Sequence, residues 1–110
     1  MRRAALLPVL FAALALALAA SLAGAAQTVR VDQRGRAFSL AEIAIRAGDT
    51  VQFANADPYL HQIFVNSPTF SFDSDEQGPG ETIDVKFPVA GTFEVRCHIH
   101  PTMRLSVTVR

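Results

Sequence analysis

The chain has 110 residues, enough for a single domain. Ten Lys and Arg balance ten Asp and Glu, so it lacks the net positive charge that nucleic-acid phosphates select. Its one cysteine, Cys97, excludes a disulfide framework within the chain.

Met1-Arg2-Arg3 is a short positive start, and an apolar run from Ala4 to Ala20 follows it. Ala23-Gly24-Ala25 then supplies small residues in an A-x-A pattern. This order reads as a secretory signal peptide over 1–25, cut after Ala25, ahead of a domain over 26–110. The expected destination is the periplasm or the exterior. The apolar run is almost long enough to stay as a membrane anchor. Its Ala content, Pro8 and the cleavage pattern favour removal, with no stable membrane insertion afterwards. Without Arg2 and Arg3, eight basic residues face ten acidic ones, a net charge of about −2. The remaining domain buries only about 60–65% of its unfolded surface. A lone thiol in an exported chain needs a use or a shield.

Beyond the leader the pattern is short alternating runs between turn residues, which predicts an all-β sandwich or barrel of about seven strands. Thr28 to Asp32 alternates, with Val29 and Val31 on one face. Phe38 to Ile45 is apolar in two phases, Phe38 and Leu40, then Ile43 and Ile45, and the odd step predicts a bulge or break. Ala47-Gly48-Asp49 is a turn before a strand over Thr50 to Ala54. Asn55 to Pro58 is a loop before a strand over His61 to Val65. Asn66 to Gly80 reads as irregular, tied to the core by Phe70 and Phe72. Its acidic residues Asp73, Asp75 and Glu76 read as a solvated face. Strands over Thr82 to Phe87, Thr92 to Cys97 and Met103 to Val109 complete the chain.

The informative stretch is Cys97-His98-Ile99-His100-Pro101-Thr102-Met103. Phe93 and Val95 point inward along their strand, so Cys97 does too, and His98 points out. Met103 shares the inward phase of Leu105, Val107 and Val109. A thiolate, an imidazole and a thioether therefore converge between two strands, with His100 on the loop. Soft sulfur ligands with imidazole select copper, and two His, one Cys and a weak axial Met form the trigonal electron-transfer site. The chain has three histidines. With His98 facing out, His61 is left as the second imidazole. The expected ligand set is His61, Cys97, His100 and Met103, around one type 1 copper ion.

The runs that surround these residues resemble cupredoxins, most closely the amicyanin and plastocyanin group. Cys97-x-x-His100-Pro101-x-Met103 is similar to the short ligand loop of amicyanin-like proteins. Ala47-Gly48-Asp49-Thr50-Val51-x-Phe53-x-Asn55-x-Asp57 resembles the approach to their first histidine ligand. Gly91-Thr92-Phe93-x-Val95-x-Cys97 resembles their last-but-one strand. The match is also similar to methylamine-utilisation-type small cupredoxins. It implies a Greek-key β-sandwich and a carrier of single electrons. It also implies a backbone N–H near Gln62 bonded to the Cys97 sulfur, and Asn55 pinning the two ligand loops. The departures are Gln62 where the family has Asn, Phe93 where it often has Tyr, and His98 between the ligands.

The expected partners are redox proteins, meeting a monomer on an apolar patch of Pro58, Leu60, Ile99 and Pro101 around His100. Three rival readings share these residues. A copper-delivery protein would use the same ligands without transferring electrons. An enzyme would need further metal sites, and a zinc domain would not need an axial Met.

Overall fold

The computed structural model describes residues 24–110 and holds eight strands. They are β1 (Thr28–Gln33), β2 (Glu42–Ile45), β3 (Thr50–Asn55), β4 (Phe64–Asn66), β5 (Ser71–Asp73), β6 (Thr82–Lys86), β7 (Gly91–Arg96) and β8 (Arg104–Val109). Residues 1–23 of the predicted leader over 1–25 lie outside the described residues. Among the described residues no helix is long and apolar enough to cross a membrane.

The strands form two sheets, ordered β1-β3-β6 and β2-β8-β7-β4-β5. In the first, β1 runs parallel to β3 with Val31 opposite Phe53. Strand β6 runs antiparallel to β3 with Val85 opposite Val51. In the second, β2 runs parallel to β8, and β7 runs antiparallel to both β8 and β4. Val31, Val51, Phe53, Val85 and Phe87 from one sheet meet Val95, Leu105, Val107 and Val109 from the other, all buried. Each such side chain stabilises the fold by about 1.5–3 kcal/mol through burial.

Three expectations are refined. Of the bulge or break expected between Phe38 and Ile45 the structure has the break, because the run crosses between sheets. Phe38 stays with the first sheet, bridging Gln33 and packing edge-on against Phe53 at 5.7 Å. Only Glu42–Ile45 joins the second sheet, beside β8. Leu40 sits on the crossing, 44% exposed, instead of facing the core. Second, the strand expected from His61 begins at Phe64, and His61 makes an isolated bridge to Gln77. Third, the stretch from Asn66 to Gly80 contains β5, a three-residue edge strand on β4. Three residues are too few for alternation to show. Phe70 and Phe72 do pack on the core, with the Phe70 ring 5.2 Å from Phe87 and 5.7 Å from Phe93.

The hairpin of β7 and β8 positions the chemistry. Its last paired rung is Arg96 with Arg104. Cys97 and Met103 lie just beyond that rung, each in the phase of the buried pair Val95 and Leu105. Both are 1% exposed.

Candidate metal centre

The loop from Cys97 to Met103 is closed from inside and from below. The Met103 N–H donates to the His100 carbonyl at 3.0 Å. The Arg96 guanidinium donates to the Pro101 carbonyl at 2.7 Å and pairs with Glu94 at 3.2 Å. The turn thereby aims His100 back over the end of the sandwich.

His61 arrives from the first sheet. Strand β3 ends at Asn55, whose amide organises the following loop. Its Nδ2 donates to the Tyr59 carbonyl at 2.9 Å and the Gln77 carbonyl at 3.0 Å, and its Oδ1 accepts the Asp57 N–H at 2.9 Å. Backbone bonds between His61 and Gln77 in both directions, 3.0 and 2.8 Å, fix the main chain of His61. Asn55 therefore ties the His61 loop to the Gln77 segment and not to the Cys97–Met103 loop, which corrects the expected role. The Gln77 side chain adds a bond to the Phe53 carbonyl at 3.1 Å.

Three donor atoms meet. His61 Nδ1 lies 3.9 Å from Cys97 Sγ, His100 Nδ1 lies 3.8 Å from it, and the two nitrogens are 3.2 Å apart. Bonds of zinc length, about 2.0–2.1 Å to imidazole and about 2.3 Å to thiolate, place ligands 120° apart in a plane about 3.8 Å (N to S) and about 3.5 Å (N to N) from each other. The observed triangle fits one ion at its centre. His61 Nε2 faces Asp57 Oδ2 at 2.8 Å. An ionised carboxylate only accepts, so Nε2 carries the hydrogen and Nδ1 presents a lone pair. That lone pair faces a second imidazole nitrogen and a sulfur within a buried site, an arrangement that a shared cation satisfies.

The electrostatics agree. Burial depresses the pKa of His100 below the ordinary imidazole value, and the neighbouring His61 and Arg36 add to this against the opposite pull of Asp57. His100 is accordingly neutral at neutral pH, the form that binds metal. Burial pushes the Asp57 carboxyl up, but the bonds from His61, Gly35 N–H and Arg36 N–H outweigh it and hold the pKa below the usual value. The Tyr59 ring packs against both imidazoles, 5.7 Å from His61 and 5.5 Å from His100, and the Arg36 guanidinium lies over the Tyr59 ring, 5.0 Å from its centroid.

Of the sequence-predicted residues, His61, Cys97 and His100 come together as one cluster. Met103 is buried just ahead of β8. His98 is turned away, as its strand phase predicts. Its ring stacks on Phe64 at 3.7 Å and 7°, and its Nε2 lies 3.3 Å from Asp73 Oδ2. Asp73 thus has a partner, while Asp75 and Glu76 are exposed. The Gln62 side chain donates to the Ser74 carbonyl at 2.9 Å. Among the described residues the hydrogen-bond partners of Cys97 Sγ are the two imidazoles, and the expected backbone N–H near Gln62 is not one of them. Pro58 and Pro101 are exposed, as are Leu60 at 41% and Ile99 at 43%. Sequence reasoning missed Asp57, Tyr59, Gln77 and Arg96 as parts of the site. Only Asp57 carried a signal, an acidic residue four positions before a candidate ligand.

Known proteins match this architecture. The family model for copper binding proteins of the plastocyanin/azurin family covers residues 25–110. Amicyanin-alpha of Methylorubrum extorquens is 32% identical over 76 residues, 66% of this chain and 63% of its own length. Chloroplastic plastocyanin of Chlamydomonas reinhardtii is 34% identical over 98 residues, 81% of this chain and 67% of its own length. The chain thus spans about two thirds of the length of either relative. The crystal structure of amicyanin from Paracoccus versutus superposes with a TM-score of 0.70 at 24% identity, covering 76% of this chain and 81% of that one. A copper-containing nitrite reductase of Thermus scotoductus superposes at 0.68 and 27% identity, over 76% of this chain but only 22% of the larger protein. The donor set, its spacing and the matched family agree: the chain belongs to the plastocyanin/azurin family of copper binding proteins, and its cofactor is a single type 1 copper ion.

Proposed function

We propose that the chain is an exported one-electron carrier. His61, Cys97 and His100 would hold the copper, with the Met103 thioether as a fourth, weaker ligand. The observation that carries this reading is the triangle of His61 Nδ1, Cys97 Sγ and His100 Nδ1, with sides of 3.9, 3.8 and 3.2 Å, at the end of the sandwich. When bound, copper supplies the Cu(II)/Cu(I) couple. The protein supplies a frame that does not rearrange. Cys97 directly follows one strand of a hairpin and Met103 directly precedes the other, and His61 is fixed at its backbone and its Nε2. Ligands held this way keep one geometry in both oxidation states, so little reorganisation opposes electron transfer. With His61, Cys97, His100 and Met103 all as ligands the metal would have no open position for substrate, which supports a carrier over an enzyme.

Electrons enter and leave through His100, the half-buried ligand, among the exposed side chains of Pro58, Leu60, Ile99 and Pro101. A small apolar surface of this kind suits brief docking of a monomer with a redox protein. Residues 1–25 act as the signal peptide and 26–110 as the exported domain, in the periplasm or outside the cell. Copper delivery is the alternative use of the same ligands, and slow copper exchange with a reversible potential distinguishes a carrier.

The test is cupric loading of the chain from Ala26. An intense blue thiolate–copper band is expected, lost in Cys97→Ser, His61→Ala and His100→Ala. A colourless loaded protein would remove the reading. Mass analysis of the exported chain should show an N-terminus at Ala26, and an uncut chain would overturn the leader.

A further inference from the structure

We propose that Asp57 is a positioning residue of the copper centre: its buried carboxylate sets the ring plane and tautomer of His61, and its fixed negative charge behind that ligand favours the oxidised metal. The inference rests on the reading of His61 as a ligand and deepens it.

Both carboxylate oxygens are engaged. Oδ2 accepts from His61 Nε2 at 2.8 Å and from the Arg36 N–H at 3.2 Å, and Oδ1 accepts from the Gly35 N–H at 2.7 Å. The Asp57 N–H is itself bound by Asn55 Oδ1 at 2.9 Å. The group therefore cannot swing away from His61. The turn that receives it is built for an anion. Gly35 and Arg36 are consecutive residues in the left-handed region, φ 64° and 58°, which aims two successive N–H groups at one carboxylate. A left-handed Arg is unfavourable for an ordinary surface turn, and here the carboxylate holds it.

The consequence for His61 is a choice between tautomers. The ring is fully buried. With Asp57 in place the hydrogen sits on Nε2, and the Nδ1 lone pair faces Cys97 Sγ and His100 Nδ1. Without an acceptor at Nε2, the hydrogen can move to Nδ1, into the space a metal needs. A carboxylate on the far nitrogen also raises the basicity of the ligating one. Its charge lies in a dry environment where screening is weak, so it stabilises the more positive oxidation state.

Two variants of the chain from Ala26 test this. In Asp57→Asn, which keeps shape and removes charge, the preference of the site for Cu(II) over Cu(I) should fall about tenfold, read as a rise in potential of about 59 mV for a one-electron couple. In metal-free Asp57→Ala, imidazole nitrogen NMR should show His61 gaining the Nδ1–H form, while the unaltered chain holds only Nε2–H. An unchanged potential in the Asn variant overturns the charge effect, and an unchanged tautomer in the Ala variant overturns the positioning. Loss of stability alone, with both readouts unmoved, reduces Asp57 to a loop-closing residue and overturns the proposal. If the Ala variant does not fold, the Asn potential decides. A colourless copper-loaded parent chain would sink the carrier reading instead, and the metal-free NMR comparison would still judge Asp57.

Discussion

Replacing Asn55 with Ala should undo both fold and site, because one amide closes the loop that carries His61. Asn55 is 3% exposed. Its loss strands three groups at once: the Tyr59 and Gln77 carbonyls at 2.9 and 3.0 Å, and the Asp57 N–H at 2.9 Å. A hydrogen bond contributes about 0.5–1.5 kcal/mol net, and a buried partner left unpaired costs about 1–3 kcal/mol. Three such losses, at the lower end of that range, give a destabilisation of at least about 3 kcal/mol. A domain of this size is stable by about 4–13 kcal/mol in total, so the loss removes about a quarter of the stability or more. At about 4–8 °C per kcal/mol, the metal-free midpoint should drop by at least about 12 °C. The assay is thermal unfolding followed by circular dichroism, with and without copper. Because metal binding is linked to folding, copper affinity should fall in parallel. A useful control is Asn55→Asp, which keeps the acceptor for Asp57 and loses both donors. A loss below about 1 kcal/mol, with visible spectrum and potential intact, would refute the role assigned to Asn55.

Further outcomes follow from other parts of the molecule. Met103→Leu conserves volume at a site 1% exposed, so stability should change by less than about 1.5 kcal/mol. The blue band should survive while the potential rises, because a donor to Cu(II) is gone; an unmoved potential in voltammetry would take Met103 out of the ligand set. Ile99→Glu puts a charge on a side chain 43% exposed beside His100. It should slow reaction with a physiological redox partner in stopped-flow without moving the potential, and an unaltered rate would place docking elsewhere. At the other end of β3, Asp49 accepts the Arg46 N–H at 2.9 Å and the Gln27 N–H at 2.8 Å. These backbone bonds lower its pKa from 3.8, against the upward push of burial. The folded carboxyl therefore resists protonation more than the unfolded one. Its stabilisation is complete above 3.8 and fades as pH falls through the lower native value. Asp49→Asn should be less stable at pH 7 and show a flatter loss in acid; identical acid unfolding curves would exclude this contribution.

The inward placement of the candidate ligands Cys97 and Met103 could be read directly because period-two alternation survives there. Inward Phe93 and Val95 lead to Cys97, and inward Leu105, Val107 and Val109 lead back to Met103. His98 followed the same rule outward. The crossing at Ser39–Ala41 defeated the rule, since one apolar run serves two sheets and its middle, Leu40, serves neither. Strand β5 defeated it by shortness.

The amino-acid order by itself determined the sandwich class, the donor types and three of their positions on one hairpin. Local alternation and loop length carry that information along the chain. The fourth, His61, followed by elimination, since the chain has three histidines and His98 faces out; only the tertiary structure decided which of its nitrogens faces the other donors. That choice depends on Asp57, on the Gly35–Arg36 turn and on Gln77, residues far apart in order and brought together by the pairing of β1 with β3 and by the closure of the loop after Asn55. A tautomer is set by the acceptor facing the ring, and no pattern within a single strand specifies what faces it.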